Sequence, residues 1–141
     1  MPDLKDKIFA IIGQPVLASL ATVNEDGKPW VRYVMALADP DLTIRVATFL
    51  SSRKVRHIRG NPEVHLAAGA SSLATAGNYL QVQGRAEVVT DQAERHAFWR
   101  DQYRAYFSGP DDPELCVLRV TPYRIELQGM ATAPTEVWER G

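Results

Sequence analysis

Apolar and polar positions change their period several times along the chain, and each change marks an element. Residues 3–12 carry Leu4, Ile8, Ile11 and Ile12 on one helical face, with Asp3 placed to cap the helix and Gly13 to end it. From Val16 the period becomes strand-like. VLASLATV, the turn signal Asn24-Glu25-Asp26-Gly27 and a return strand over Trp30–Met35 predict a hairpin. Asp39-Pro40-Asp41 marks a second turn, and a third strand follows from Leu42 to Thr48. A short helix after Ser52 buries Val55 and Ile58 and stops at Gly60-Asn61-Pro62.

Glu63–Ala68 reads as a further strand, and the stretch 69–77 has no strong period and reads as a loop. Residues 78–90 form a long strand containing Gly84, which predicts a bulge or a close backbone approach. Asp91 caps a helix running to Tyr106, with Glu94 completing a capping box. Leu115–Val120 and Tyr123–Leu127 are two last strands separated by a break at Pro122, and residues 130–141 form a polar tail carrying Trp138.

Six or seven strands in antiparallel-compatible order, with three helices between them and no βαβ alternation, predict a mainly β fold, a small β-barrel with peripheral helices. The 141 residues suit one domain spanning 1–141, with the N-terminal helix in 1–13.

Charge narrows the partners. The net charge of −1 gives no field for coating nucleic acid or an anionic membrane, so the basic run Arg53–Arg59 is local and suits a small anion. Cys116 is the lone cysteine, which leaves no intrachain disulfide and no support for a Cys-based metal site. No stretch approaches transmembrane length and the N-terminus lacks the long apolar core of a signal peptide, so the expected location is the cytoplasm.

The candidate chemistry concentrates in Val46–Pro62, VATFLSSRKVRHIRGNP. A strand ends in a serine turn, and a helix begins with Ser51, Ser52, Arg53 and Lys54 at its positive end, where a phosphate is favoured. Arg32 on an earlier strand can add another cation. A serine-capped, solvated basic helix explains the same residues, and from spacing both readings stay open. His57 reads as a solvated surface histidine, and His65 and His96 complete no metal-ligand spacing with it. There is no GxSxG elbow, no GxxxxGK[ST] loop and no GxGxxG fingerprint. Trp99, Tyr103, Tyr106 and Phe107 read as packing aromatics. Tyr79 and Gln81, on one face of a strand, offer stacking or hydrogen bonding to a ring, or form an ordinary half-exposed face.

Thr48-x-x-x-Ser52-Arg53-Lys54 with a helix ending in Asn61-Pro62 resembles the flavin-phosphate signature of the pyridoxamine 5'-phosphate oxidase-like split barrels. ATVNEDGKPWVRYVMA resembles that family's first hairpin and YLQVQGRAEVV its later strand. The helix with Trp99 followed by FSGPDDP resembles the general stress protein 26 branch, and the likeness covers residues 5–128. The resemblance implies a six-stranded antiparallel split barrel that binds FMN in a groove between the two barrels of a homodimer. It implies that Arg32, Ser52, Arg53 and Lys54 hold the phosphate, that the Val34 backbone runs along the flavin, and that Ala47 and Thr48 line the ring or ribityl chain. Tyr79 stands where the oxidase has a ring-contacting Gln. The family also includes proteins that bind deazaflavin or haem, or have no cofactor. The oxidase's C-terminal Arg-x-His substrate motif is replaced by TPYRIELQGMATAP, which separates this chain from true pyridoxamine phosphate oxidation, and Leu127-Gln128-Gly129 stands where the stress branch often has an aromatic. The expectation is an FMN-dependent oxidoreductase or electron-transfer protein acting on an unidentified small molecule, or a non-catalytic flavin-binding stress module of the same fold.

Overall fold

A computed structural model of the chain describes residues 3–129 and 133–141. Helix α1 (Leu4–Ile12) is capped by the Asp3 carboxylate, which accepts from the Asp6 amide at 2.9 Å, and it buries Ile8 and Ile12. The strands are β1 (Val16–Val23), β2 (Pro29–Ala38), β3 (Ile44–Phe49), β4 (Glu63–Ala68), β5 (Tyr79–Val89), β6 (Leu115–Gln128) and β7 (Glu136–Glu139). Helix α2 (Arg53–Gly60) joins β3 to β4, and α3 (Gln92–Phe98) follows β5. The loop between β4 and β5 contains one 3-10 turn, Leu73–Thr75.

All strand pairs are antiparallel, in the order β3-β2-β1-β4-β5-β6-β7, and β3 also pairs with β6. That last pairing closes a six-stranded barrel and leaves β7 as an added strand. Inward positions alternate along each strand and fill the barrel with Leu20, Ala36, Val46, Leu66, Val82, Leu118 and their neighbours. The hairpin turn after β1 is closed by Gly27 at φ +76°, a left-handed conformation that glycine adopts without strain.

Along one seam of the closed barrel the pairing is short. β2 and β3 pair only over Ala36–Ala38 and Ile44–Val46. Beyond that, the rest of β2 pairs with β1 and Ala47–Phe49 pairs with β6, so the two strands part and a groove opens between them.

Four expectations need correction. Leu115–Gln128 is one strand, because Pro122 does not break it. The register shifts between Gln83 and Gly84 so that Tyr123 is the extra residue, and proline is tolerated at such a bulge. Gly84 meets the expectation of close approach: a Cβ there would lie 2.9 Å from the Thr121 carbonyl oxygen. The helix expected to reach Tyr106 ends at Phe98. Trp99 turns out of it to stand edge-on to the Tyr103 ring, and a 3-10 segment Asp101–Ala105 follows. The capping box is half formed: Asp91 accepts from the Glu94 amide at 3.1 Å, while the Glu94 carboxylate is held by Arg45 at 2.5 Å. The C-terminal stretch is more than a tail, since β7 pairs with β6 and Trp138 packs against the core. Residues 130–132 of that stretch, and residues 1–2 of the N-terminal one, lie outside the described residues.

Candidate functional site

The groove left by the parting of β2 and β3 has a volume of about 380 Å³. Val34 of β2 and Ala47 and Thr48 of β3 form its floor, and Tyr103, Tyr106 and Phe107 form an aromatic wall. Tyr103 and Phe107 are also buried in a second small core with Phe98, so these aromatics pack as expected and still present surface to the groove. Lys54 stands at one end and donates to Thr48 Oγ1 at 2.7 Å.

Around that end the sequence and fold gather positive charge. Helix α2 begins after Ser52, so the first-turn amides of Arg53 and Lys54 have no intrahelical acceptor. Arg53 lies over the Trp30 ring, 4.6 Å from its centre, which fixes the guanidinium beside β2. Burial, and then the charge of Arg53, pull the Arg32 guanidinium below its ordinary pKa. Burial, and then the charge of Arg32, lower Lys54. Among the described residues none of Arg32, Arg53 and Lys54 has a carboxylate partner, whereas Arg45, Arg56, Arg85, Arg119 and Arg124 all do. Three adjacent cations without a counter-charge are costly unless an anion joins them.

Ser52 adds a second observation. Its hydroxyl is buried and has no hydrogen-bond partner, and it does not cap α2. Buried hydroxyls are nearly always satisfied, so this one is placed for an acceptor supplied from outside the chain. Ser51, by contrast, is engaged: its hydroxyl donates to Glu114 at 2.6 Å.

Arg32 is anchored by one nitrogen alone. Its Nη1 donates to Thr22 Oγ1 at 2.7 Å and to the carbonyls of Leu20 and Trp30, each at 3.2 Å. Thr22 in turn bonds His57 Nδ1 at 2.8 Å. His57 is therefore not the solvated surface residue expected, since it is 2% exposed. It lies on the inner side of α2 with Val55 and Ile58, and burial pushes its pKa below the ordinary value.

The structure lines the groove with Val34, Ala47, Thr48 and Lys54, and it sets Arg32, Ser52 and Arg53 beside Lys54 outside that lining. It sets the other two candidates apart. Tyr79 lines a smaller neighbouring depression that shares Leu17 and Tyr33 with the groove. Gln81 accepts from Gln128 at 2.9 Å and lines a polar pocket with His65, Gln83, Arg124 and Glu126. Both lie on the outer face of the sheet.

Sequence reasoning missed Thr22, His57, Trp30, Leu17, Tyr33 and Met35. One signal for the last two was available. β2 carries apolar residues on both faces, Val31, Tyr33 and Met35 outward and Val34 and Ala36 inward, a pattern belonging to strands covered on both sides.

Cys116, paired across from Thr48, is buried and its thiol is pushed up to about 11. Among the described residues no three His, Cys, Asp or Glu side chains come together as metal ligands, and no helix is long and apolar enough to cross a membrane.

The family model of pyridoxamine 5'-phosphate oxidase matches residues 4–129. This chain belongs to that family. General stress protein 26 of Bacillus subtilis (strain 168) is 32% identical over 125 residues, spanning 89% of this chain and 88% of the relative. The crystal structure of General Stress Protein 26 from Bacillus anthracis str. Sterne is 27% identical, with a TM-score of 0.83 over 97% of this chain and 98% of that one. An F420 reductase is 25% identical, with a TM-score of 0.67 over 89% of this chain and 98% of that one. The family's split barrel is the fold seen here.

Proposed function

We propose that the chain is an FMN-binding flavoprotein, working as an oxidoreductase or electron-transfer protein on a small molecule. The observation that carries this reading is Lys54 on an aromatic-walled groove with Arg32 and Arg53 near it, none with a carboxylate partner among the described residues, and the unpartnered Ser52 hydroxyl at the start of the same helix. These four residues take the phosphate, and Val34, Ala47 and Thr48 line the ring or ribityl chain. Charge-assisted bonds to a phosphate are the strong kind, which suits a tightly held cofactor. FMN, when bound, supplies the electron or hydride chemistry, and the protein supplies position and electrostatics.

The protein works as a homodimer in the cytoplasm, with the groove completed by the second copy. Tyr79 and Gln81, on the outer face, then reach the cofactor of the partner barrel rather than that of their own.

The absorption spectrum of the purified protein, with and without added FMN, tests the reading. A bound flavin chromophore, or quenching of added FMN fluorescence at one equivalent per chain, is expected. The absence of both signals would overturn it. The F420 reductase among the neighbours makes a deazaflavin the competing occupant, and haem is the third; each has its own spectrum.

A second reading has one observation in its favour. Among the described residues, the titratable groups lining the groove are Lys54 and the phenols of Tyr33, Tyr103 and Tyr106, with no carboxylate or imidazole to move a proton at neutral pH. FMN binding without turnover of reduced nicotinamides and common acceptors would select this non-catalytic flavin-binding module.

A further inference from the structure

Thr22 and His57 are polar side chains placed in an apolar barrel, 1% and 2% exposed, and neither touches the groove. Their bonds explain their presence. The Thr22 oxygen accepts from Arg32 Nη1 at 2.7 Å, and the same hydroxyl meets His57 Nδ1 at 2.8 Å. A hydroxyl has one proton and two lone pairs. The guanidinium takes one lone pair, and among the described residues Nδ1 is the one acceptor the Thr22 proton meets, so Thr22 donates to Nδ1 and His57 is neutral with its own proton on Nε2. That assignment agrees with burial, which disfavours the imidazolium; Glu25 opposes it, and Arg32, Arg56 and Arg53 add to the burial, so the net shift is downward.

The consequence falls on Arg32. Nη1 is fully used by Leu20 O, Thr22 Oγ1 and Trp30 O, while Nε and Nη2 have no acceptor among the described residues. Nε–H and Nη2–H form the parallel pair of donors with which a guanidinium grips two oxygens of one anion. Holding the group by Nη1 alone leaves that pair free and fixes its direction. The two backbone carbonyls cannot do this as firmly, since each lies 0.5 Å farther away than the threonine oxygen (3.2 against 2.7 Å).

We propose that Thr22 and His57 are positioning residues, a buried hydroxyl–imidazole relay that orients Arg32 so that its Nε–Nη2 edge receives a phosphate. The relay rests on the phosphate site proposed above and adds two residues that never contact the ligand. Arg32 sits on β2, Thr22 on β1 and His57 on α2, so the relay also ties the cation on the strand to the helix whose first turn carries Arg53 and Lys54.

Titration of wild type and variants with FMN and with riboflavin tests the relay, because the two ligands differ by the phosphate. T22V and H57L should each weaken FMN on the order of tenfold while leaving riboflavin within about twofold. The double variant should lose no more than either single one, since both break the same chain of bonds. T22S, and H57N with its amide oxygen as acceptor in place of Nδ1, should restore discrimination. Thermal melts of all variants separate this from loss of fold, and the T22S and H57N pair carries the test if the apolar variants unfold.

Equal losses for both ligands, additive losses, or undiminished FMN binding by T22V would overturn the relay. A wild type that treats FMN and riboflavin alike would overturn the phosphate-site reading instead. The relay is then judged on inorganic phosphate, whose stabilisation of wild type in thermal melts should shrink in T22V and persist in T22S. An equal gain in all three would overturn it.

Discussion

Lys54 Nζ donates to Thr48 Oγ1 at 2.7 Å across the mouth of the groove, joining the first turn of α2 to the end of β3. The bond holds a half-buried ammonium over the place where β2 and β3 part, and it leaves two of the three ammonium protons for other acceptors. Replacing Lys54 or Arg53 with Ala should therefore weaken FMN far more than riboflavin. Each charge-assisted bond is worth about 1.5–3 kcal/mol, so losses of roughly tenfold or more per residue are expected. Fluorescence titration with both ligands checks this, and equal losses would mean that the stretch is structural.

How far the sequence disclosed this arrangement depends on how local each signal was. The N-cap at Asp3, the turn at Asn24–Gly27 and the start of α2 are set by neighbours a few residues apart, and they stand where the pattern put them. The cation cluster was legible through its resemblance to a family signature, not through periodicity. His57 was not, because its burial depends on Thr22, a residue 35 positions away on another element. The half-formed capping box of α3 escaped for a related reason: Glu94, which local pattern assigns to that box, is claimed by Arg45 of β3. β7 is four residues long, too short for its alternation to stand out from a polar tail.

Gly84 should tolerate no side chain. A Cβ at this position would lie 2.9 Å from both the Thr121 carbonyl oxygen and Val120 Cγ1 and 3.1 Å from Pro122 Cα, so backbone as well as side chain would have to move. Overpacking of this kind costs about 1–3 kcal/mol. Gly84→Ala should lower the thermal midpoint by several degrees, roughly 4–8 °C per kcal/mol in a domain of 60–100 residues and somewhat less here. An unchanged midpoint would show that β6 can shift at its bulge without cost.

Stability should fall as the solution becomes mildly acidic. Burial lowers the pKa of His57 and of His65 below the ordinary 6.5, so the unfolded chain binds these protons more readily than the folded one. Their contribution is complete above about pH 6.5 and is lost as pH falls from there towards the depressed folded values. The carboxyls of Asp41, Asp111 and Asp112, lowered chiefly by hydrogen bonds, withdraw their contributions only at more acid pH, below their ordinary 3.8. Urea midpoints measured between pH 7.5 and 5 should therefore decline in wild type and decline less in H57N. The same slope in both proteins would count against a buried, neutral His57.

The outer face predicts an assembly. Tyr33 is 77% exposed and Leu17 66%, and with Val31 and Met35 they make an apolar patch on β1 and β2 that borders the groove. Across the same sheet the paired positions Tyr33, Ser19, Ala67 and Gln81 run from this patch into the polar region of His65, Gln83 and Glu126. Exposed patches of this kind mark interaction sites, and a stable interface needs about 800 Å² from each partner. A second copy seated here would cover the apolar half and bring its own Tyr79 and Gln81 towards the groove. Analytical ultracentrifugation should find a dimer for wild type and a shift towards monomer for Tyr33→Arg. On the proposal that a second copy completes the groove, Tyr33→Arg should lose FMN in parallel with the dimer, whereas Lys54→Ala should lose FMN and remain dimeric. A monomeric wild type, or a Tyr33→Arg variant that stays dimeric, would remove the second copy from the site.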